Sequence, residues 1–363
     1  MPQVRFPKSR LMPYTSQGKS AFWKTCREHP DFLSDQLFRP LHQLVPGDRI
    51  ATAGSCFAQN IGTYVKASEL ELVDVEPAPY GMPPDVAKQF GFDLFSARYG
   101  NIYTARQLRQ LLADCVTGDV HDEAIWEHDG VYFDGIRPNI EPNGYASAEQ
   151  AVAHRRDHLN RVSSIFENAD VFVFTLGLTE CWQHSQTGVV FPMAPGVVAG
   201  RFDPAQHSFV NFRFVDVLQD MTQAIELMRN FASDLRIILT VSPVPLTATA
   251  TDNHVLSATT YSKSVLRAVA EELAMQHPFV EYFPSYELVT GAPFIAQAYN
   301  SNLRTVRRAA VDRVMSVFFG AYDGIESVTF EDAQQITTSD FNELDEKDAL
   351  ICDELLLEAF AKK

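Results

Sequence analysis

The sequence predicts an α/β protein, a three-layer α/β/α domain built on a doubly wound, mainly parallel sheet. Three observations predict it. Strand-length apolar runs alternate with helix-length segments through most of the chain, the pattern of parallel strands joined by helical crossovers. The run "DVFVFTLGL" from Asp170 is apolar at nearly every position, as in a strand covered on both faces. Three polar clusters follow directly on predicted strands: Gly54-Ser55-Cys56, Gly177-Leu178-Thr179-Glu180, and Ser242 to His254. In such sheets ligands sit outside the carboxyl ends of the strands.

The elements follow in order. Residues 1–45 are rich in proline and aromatics and read as an extended arm with one short helix near Ser20–Glu28. Ile50–Ala53 is a short strand, Gly54-Ser55 a sharp turn, and Phe57–Ala67 a helix with Phe57, Ile61 and Tyr64 on one face. "LELVDVEP" gives a second strand, residues 79–104 are irregular, and "TARQLRQLLADCV" is a helix capped by Thr104. A β-hairpin turns at Asp129-Gly130. A helix over 147–167 opens with Ser147 and leads to the buried strand after Asp170. "GVVFPMAPG" is a loop or hairpin excursion. Helix Phe214–Phe231, strand "RIILTVSPVP", helix Thr259–His277, strand "VEYFPSYELV" and helix Thr305–Phe319 complete the domain, which spans 46–319.

Composition narrows the function. The 363 residues are 46% hydrophobic and 21% charged, ordinary values for a globular chain. No apolar run nears the roughly 18 residues of a membrane span. The net charge of −16 argues against a general nucleic-acid binder, because phosphate backbones call for clustered Lys and Arg. Residues 320–363 hold twelve acidic and three basic side chains. Much of the acidity therefore belongs to an appended segment, which reads as a solubilising tail or a docking site for a protein partner. The five cysteines are scattered, with no CxxC pair and no zinc-ligand spacing. Neither GxGxxG nor GxxxxGK[ST] occurs. No metal and no cofactor are expected. The N-terminus lacks an apolar signal region, so the chain reads as a reduced, cytoplasmic protein.

The turn Ala53-Gly54-Ser55-Cys56-Phe57-Ala58 carries the chemistry. A strand that turns abruptly into a helix presents its side chain at the helix N-terminus, where backbone N–H groups and the helix dipole favour an anion. Ser55 or Cys56 is a plausible nucleophile there. A glycine-hinged turn with Ser55 as an N-cap explains the same residues structurally.

"GSCFA" with Asn60 resembles the namesake motif of the GSCFA family of bacterial proteins. "YGNIYT" at Tyr99–Thr104, "TLGLTECW" at Thr175–Trp182, "SPVPLTAT" at Ser242–Thr249, "TTYSKSVLRAV" at Thr259–Val269 and "YFPSYE" at Tyr282–Glu287 extend the resemblance over roughly residues 45–320. That family is similar to the SGNH/GDSL hydrolases and PC-esterases, three-layer enzymes that cleave or transfer acyl esters. The resemblance implies an acyl-ester hydrolase or acyltransferase acting on a saccharide or other polyol ester. Matched by position, Gly54 keeps the glycine of the Gly-Asp-Ser block, Ser55 takes the Asp place and Cys56 the nucleophile place. Matched by residue type, Ser55 is the nucleophile. Cys56 is preferred, because register after the strand decides which side chain faces the crevice. Gly100, with Asn101 beside it, matches the oxyanion glycine of the second block. The third block, Gly-x-Asn-Asp, stands here as Gly177-Leu178-Thr179-Glu180, with Thr179 as an oxyanion donor and Glu180 orienting a base or substrate. The Asp-x-x-His that supplies the superfamily's base is missing, and Asn302, Arg304 and Thr305 stand in its place.

His254, in the predicted loop after "RIILTVSPVP", is the substitute base, with Asp252 close enough in sequence to orient it. His207 and His184 are further candidates, while His158 and the remaining histidines read as surface residues. Arg304 suits an anionic substrate group, or an ion pair with Glu287 or another of the many acids. Tyr261, Ser262 and Lys263 read as a capped, solvated first turn. The competing reading is a binding or accessory protein for glycan or acyl ligands on a degenerate hydrolase scaffold, supported by the missing Asp-x-x-His.

Overall fold

The computed structural model describes residues 14–28, 37–329 and 353–361. A short helix α1 (Lys24–Glu28) precedes the domain. The order is then β1 (Arg49–Gly54), α2 (Ala58–Lys66), β2 (Glu71–Leu72), α3 (Pro84–Gln89), α4 (Ala105–Thr117), β3 (Ile125–His128), β4 (Val131–Asp134), α5 (Ala148–Asn168) and β5 (Val171–Leu176). It continues with β6 (Glu180–His184), β7 (Val190–Phe191), β8 (His207–Asn211), α6 (Phe214–Phe231), β9 (Arg236–Val241), α7 (Val255–Gln276), β10 (Val280–Phe283), α8 (Ser285–Thr290) and α9 (Arg308–Gly320).

Five strands form a parallel sheet in the order β2-β1-β5-β9-β10. Alternation along the strands splits the core in two. Ala51, Ala53, Phe172, Phe174, Ile237 and Leu239 pack under α4, α5, α6 and α7. Ile50, Val171, Val173, Ile238 and Phe283 pack under α2, α8 and α9. The fold is therefore three-layered α/β/α. All six residues of β5 are buried, which explains its unbroken apolar run. The chain leaves β1 toward β2 and later returns to the other side for β5, β9 and β10. The strand order reverses between β1 and β5, and in doubly wound sheets the ligand crevice lies at the carboxyl ends of the strands at such a switch point.

Several elements depart from expectation. β2 is two residues long. The predicted strand "VEYFPSYELV" stops at Phe283, because Pro284 breaks the ladder and Ser285–Thr290 turns into a helix. α7 starts at Val255, four residues early, with His254 as its N-cap. A second sheet, β7-β6-β8, grows out of the segment directly after β5; the hairpin excursion expected at "GVVFPMAPG" supplies β7, while its pairing with β8 through β6 was not foreseen. Most of the acidic C-terminal segment, residues 330–352 and 362–363, lies outside the described residues, so the docking expectation placed on it falls there too. Among the described residues no helix is long and apolar enough to cross a membrane.

The chain enters the domain along the outer edge of the sheet. Phe38 packs edge-on against Phe283, with ring centroids 5.1 Å apart. The backbone N–H groups of Leu41 and His42 donate to the Glu281 carboxylate of β10 at 3.0 and 3.1 Å.

A buried ionic network ties α4, α5 and the β3–β4 hairpin together. Arg155, 2% exposed, donates to Asp114 at 3.0 Å and lies 3.8 Å from Asp134. Asp134 also pairs with Arg137 at 2.7 Å. His158 is not a surface residue: it is fully buried, and its Nδ1 lies 2.8 Å from Glu76. Burial, helped by the Arg137 charge, pushes His158 down to about 4 against the pull of Glu76. Burial alone would raise Glu76, but its bonds to His158 and Arg98 and the nearby charges hold it down at about 2. The neutral ring therefore donates Nδ1–H to an ionised Glu76.

The sign of the pH dependence follows. Between pH 6.5 and about 4 the unfolded imidazole takes up a proton that the folded one refuses. Stability is thus lost as pH falls through that window, with a slope for this group approaching about 1.4 kcal/mol per pH unit. His158→Gln keeps a donor but cannot titrate, so its urea midpoint should vary less between pH 6.5 and 4.5. An equal pH dependence in both proteins refutes the assignment.

Candidate active site

The crevice begins where β1 ends. Gly54 has φ +132°, and a Cβ there would stand 2.4 Å from the Thr175 carbonyl oxygen. Only glycine lets β1 lie this close to β5. Ser55 N–H donates to Thr175 O at 3.1 Å, which extends the β1–β5 ladder by one rung. The chain then turns through Phe57 into α2.

The two side chains of the turn are both buried, Ser55 at 2% and Cys56 at 3% exposure. They belong to different flanks. Ser55 lies against the turn after β5, where a Cβ on Gly177 would stand 2.9 Å from Ser55 Cβ and 3.0 Å from Tyr103 O. Cys56 belongs to the apolar cluster of Phe57, Val244, Phe294 and Ala298. Tyr299 and Val306 pack on that same cluster and bracket the loop that carries Arg304. Tyr299 Oη donates to Pro243 O at 2.7 Å, which pins the loop to the end of β9. Asn302 Oδ1 accepts the N–H groups of Arg304 and Thr305 inside it, and Arg304 is 8% exposed.

Among the described residues Ser55 Oγ has no hydrogen-bond partner. A buried hydroxyl left unsatisfied costs on the order of 1–3 kcal/mol. Ser55→Ala is therefore expected to leave the urea midpoint unchanged or to raise stability by up to about 1 kcal/mol. A loss larger than that would mean that the hydroxyl is held by a partner.

A model of the GSCFA family matches residues 49–318. The chain belongs to the GSCFA family. No curated protein matches it. Among solved structures, a carbohydrate esterase family 3 from Talaromyces cellulolyticus is similar at 9% identity, covering 75% of this chain and 94% of that one, with a TM-score of 0.35.

The GSCFA motif lies buried at the carboxyl end of β1, and the other expected residues can be placed around it. Gly100 is left-handed, at φ +67°. Ile102 N–H donates to Gly54 O at 2.8 Å and draws this segment to the end of β1. Asn101 is buried, and its Oδ1 accepts from Gln59 of α2 at 3.5 Å. Gly54, Ser55, Cys56, Gly100, Asn101 and Gly177 therefore come together.

The third block works differently from expectation. The N–H groups of Gly177 and Leu178 both donate to Tyr103 O, at 3.1 and 2.8 Å. Gly177 is thus needed for close approach and not as an oxyanion donor. Thr179 is fully buried, its hydroxyl donates to Asn211 Oδ1 at 2.8 Å, and its N–H donates to Ser262 Oγ. It has no donor left for an oxyanion. Glu180 is half-buried and accepts from Thr249 Oγ1 at 2.7 Å and from the Ala250 N–H at 3.4 Å. Burial raises its pKa despite those bonds.

The histidines fare worse. His254 is exposed, and its Nδ1 accepts the Leu256 N–H at 3.1 Å as the cap of α7. A neutral ring whose Nδ1 accepts carries its proton on Nε2. With Nδ1 taken by the cap, His254 offers a hydrogen-bond donor at Nε2 and is not the expected base. His207 pairs with His184 at the far end of the small sheet, while Glu180 pairs with Asn211 at the crevice end. Four residues of strand separate them, roughly 13 Å. His207 Nδ1 accepts the Asp203 N–H, its ring packs against Phe202, and burial lowers its pKa. Both His207 and His184 lie outside the crevice. Glu287, one of the acids considered as a partner of Arg304, binds Arg267 and Tyr282 instead.

Two residues escaped the sequence reading. Ser262 and Lys263 are 0% and 1% exposed and not in a solvated first turn. Ser262 falls on the stripe Ala258, Val265, Leu266, Val269 of α7, all buried. That i, i+3, i+4 spacing was the signal that could have found it.

Among the described residues no three His, Cys, Asp or Glu side chains are placed to hold a metal ion. Cys115 and Cys181 have thiols raised by burial, the former to about 12, so neither is a nucleophile at neutral pH.

Proposed function

We propose that this protein is an acyl-ester hydrolase or acyltransferase, with a saccharide or other polyol ester as substrate, whose attacking side chain comes from the Ser55–Cys56 turn. The observation that carries the reading is a pair of adjacent nucleophile-capable side chains at the switch point of a doubly wound sheet. One of them is a buried hydroxyl with no hydrogen-bond partner among the described residues. Position in the motif favours Cys56, and the packing against Gly177 favours Ser55. The attacked carbonyl would develop its negative charge beside the first turn of α2, where the helix dipole stabilises an anion. Glu180 stands three residues beyond the glycine that touches Ser55. Its raised pKa suits it to exchange protons nearer neutrality than an exposed carboxylate. His254 Nε2–H is a donor available to substrate at the rim.

The second reading, a binding protein on the same scaffold, is favoured by one observation. The loop that holds the acid–base pair in related hydrolases carries Asn302, Leu303 and Arg304 here, and its Asn302 serves only to shape the loop. One experiment separates the two. The full chain, Cys56→Ala and Ser55→Ala are assayed on p-nitrophenyl acetate and on acetylated saccharides. Loss of at least about 100-fold in kcat in one variant identifies the attacking group. Absence of turnover by the unmodified protein, together with calorimetric binding of the acetylated saccharides, decides for the binding protein.

A further inference from the structure

A cavity of about 550 Å³ opens between α4, α6 and the turn that joins β6 to β7, within the size range of small-molecule sites. It lies at the His184 end of the small sheet, away from the crevice at Glu180. None of the candidate nucleophiles, oxyanion donors or bases lines it. Its better-buried wall carries positive charge that the protein matches only in part. Asp220, 1% exposed, is shared by two guanidinium groups. Arg106 Nε donates to both of its oxygens, at 2.7 and 2.8 Å. Arg109 is left with one of those oxygens, 3.0 Å from its Nη1, and the same nitrogen donates to Gln223 Oε1 at 3.1 Å. Burial, with the Arg106 charge beside it, pulls the Arg109 pKa down against the attraction of Asp220.

The Nε–Nη2 edge of Arg109 has no partner among the described residues. Arg49 shows what that edge takes: its Nε and Nη2 hold Asp170 at 3.1 and 2.9 Å, the bidentate geometry of a carboxylate. Gln223 Nε2, beside the oxygen spent on Arg109, is a second donor in the lining. His121 Nε2 binds Asp114 at 2.9 Å, which raises its pKa, and Asp114 is also paired with the buried Arg155. The ring therefore adds positive charge as pH falls. The exposed part of the lining has the opposite sign. Asp119 and Glu226 stand there, and neither carboxylate has a hydrogen bond or ion pair among the described residues. A dicarboxylate would meet like charge at Asp119 and Glu226, and a simple amine would meet it at Arg109. A ligand that carries both a carboxylate and an ammonium meets opposite charge at each.

We propose that this cavity is a binding site for a small zwitterion of the amino-acid type, its carboxylate on the Nε–Nη2 edge of Arg109 and its ammonium toward Glu226 and Asp119. The site is separate from the 55–56 turn and does not depend on the ester reading. The full-length protein is titrated calorimetrically with each of the common L-amino acids at up to about 10 mM. At least one should bind. The amine and the carboxylic acid that each lack one of its two charged groups should bind at least about tenfold more weakly. Arg109→Gln, which keeps a donor and removes the fork, should lose at least about tenfold in affinity. Arg109→Lys should lose nearly as much, because a point charge does not replace the fork. Glu226→Gln should weaken binding about threefold.

Binding of none of the amino acids overturns the proposal. So does an unchanged affinity in folded Arg109→Gln, or an amine or acid that binds as tightly as the amino acid. If Arg109→Gln does not fold, Arg109→Lys decides: an unchanged affinity overturns the proposal, and a loss of about tenfold supports it. Ester turnover, present or absent, does not enter the readout, so this site and the function proposed for the 55–56 turn stand or fall separately.

Discussion

Gly54→Ala is expected to cost about 3–5 kcal/mol, or to prevent folding altogether. Two independent penalties combine. A non-glycine residue at φ +132° is strained by on the order of 1–3 kcal/mol. The added Cβ would also lie 2.4 Å from Thr175 O and 2.7 Å from Thr175 N, both backbone atoms of the central strand. Neither can move without breaking the β1–β5 ladder, so overpacking adds about 1–3 kcal/mol more. Gly188→Ala is the matched control. Gly188 is also left-handed, at φ +76°, but nothing lies within 4 Å of its added Cβ, so only about 1 kcal/mol should be lost. Urea unfolding of the two variants measures the difference. Equal losses would show that β1 and β5 can separate at their carboxyl ends.

The second large effect concerns the network beneath the other helical layer. Arg155→Met is expected to destabilise by about 3–5 kcal/mol, the usual result of stripping one partner from a buried ion pair. The methionine fills the stem's volume but leaves Asp114 without its 3.0 Å partner and removes the charge 3.8 Å from Asp134. Asp114 would keep His121, 2.9 Å away, whose pKa its hydrogen bond raises. Loss should therefore grow as pH rises through the raised pKa of His121, where that partner loses its charge. A loss below about 1 kcal/mol throughout would show the network to be dispensable.

The parts of the fold that were legible in the sequence are those decided locally. β1, β5 and β9 announce themselves as apolar runs between turn residues, and the helices by their stripes, so layer order and the crevice at Gly54 follow. Thr104 and Ser147 cap α4 and α5 where expected, each accepting from its N3 backbone N–H. What depends on distant partners was not legible. His158 meets Glu76 across 82 residues, and nothing in "RRDHLNR" distinguishes a buried imidazole from a solvated one. The small sheet failed for the same reason: "ECWQH" pairs with "HSFVN" across a long excursion, and neither alternates cleanly. His254 was misread because the helix begins earlier than its apolar spacing predicts, which makes the histidine a cap. Lys263 was misread by residue type, since lysine is almost never fully buried.

The chain before β1 has a consequence for the exposed border of the sheet. β10 ends the sheet, and a terminal strand offers unsatisfied main-chain groups to any other chain. Here residues 38–42 occupy that border: Phe38 covers Phe283, and the amides of Leu41 and His42 are spent on Glu281. Glu281 is itself buried, and burial raises its pKa against the pull of those two bonds. A chain trimmed to the family-matched region would lose this selvedge. It would bare a phenylalanine, strand a buried carboxyl and leave the border open to self-association, although every residue of the crevice were still present.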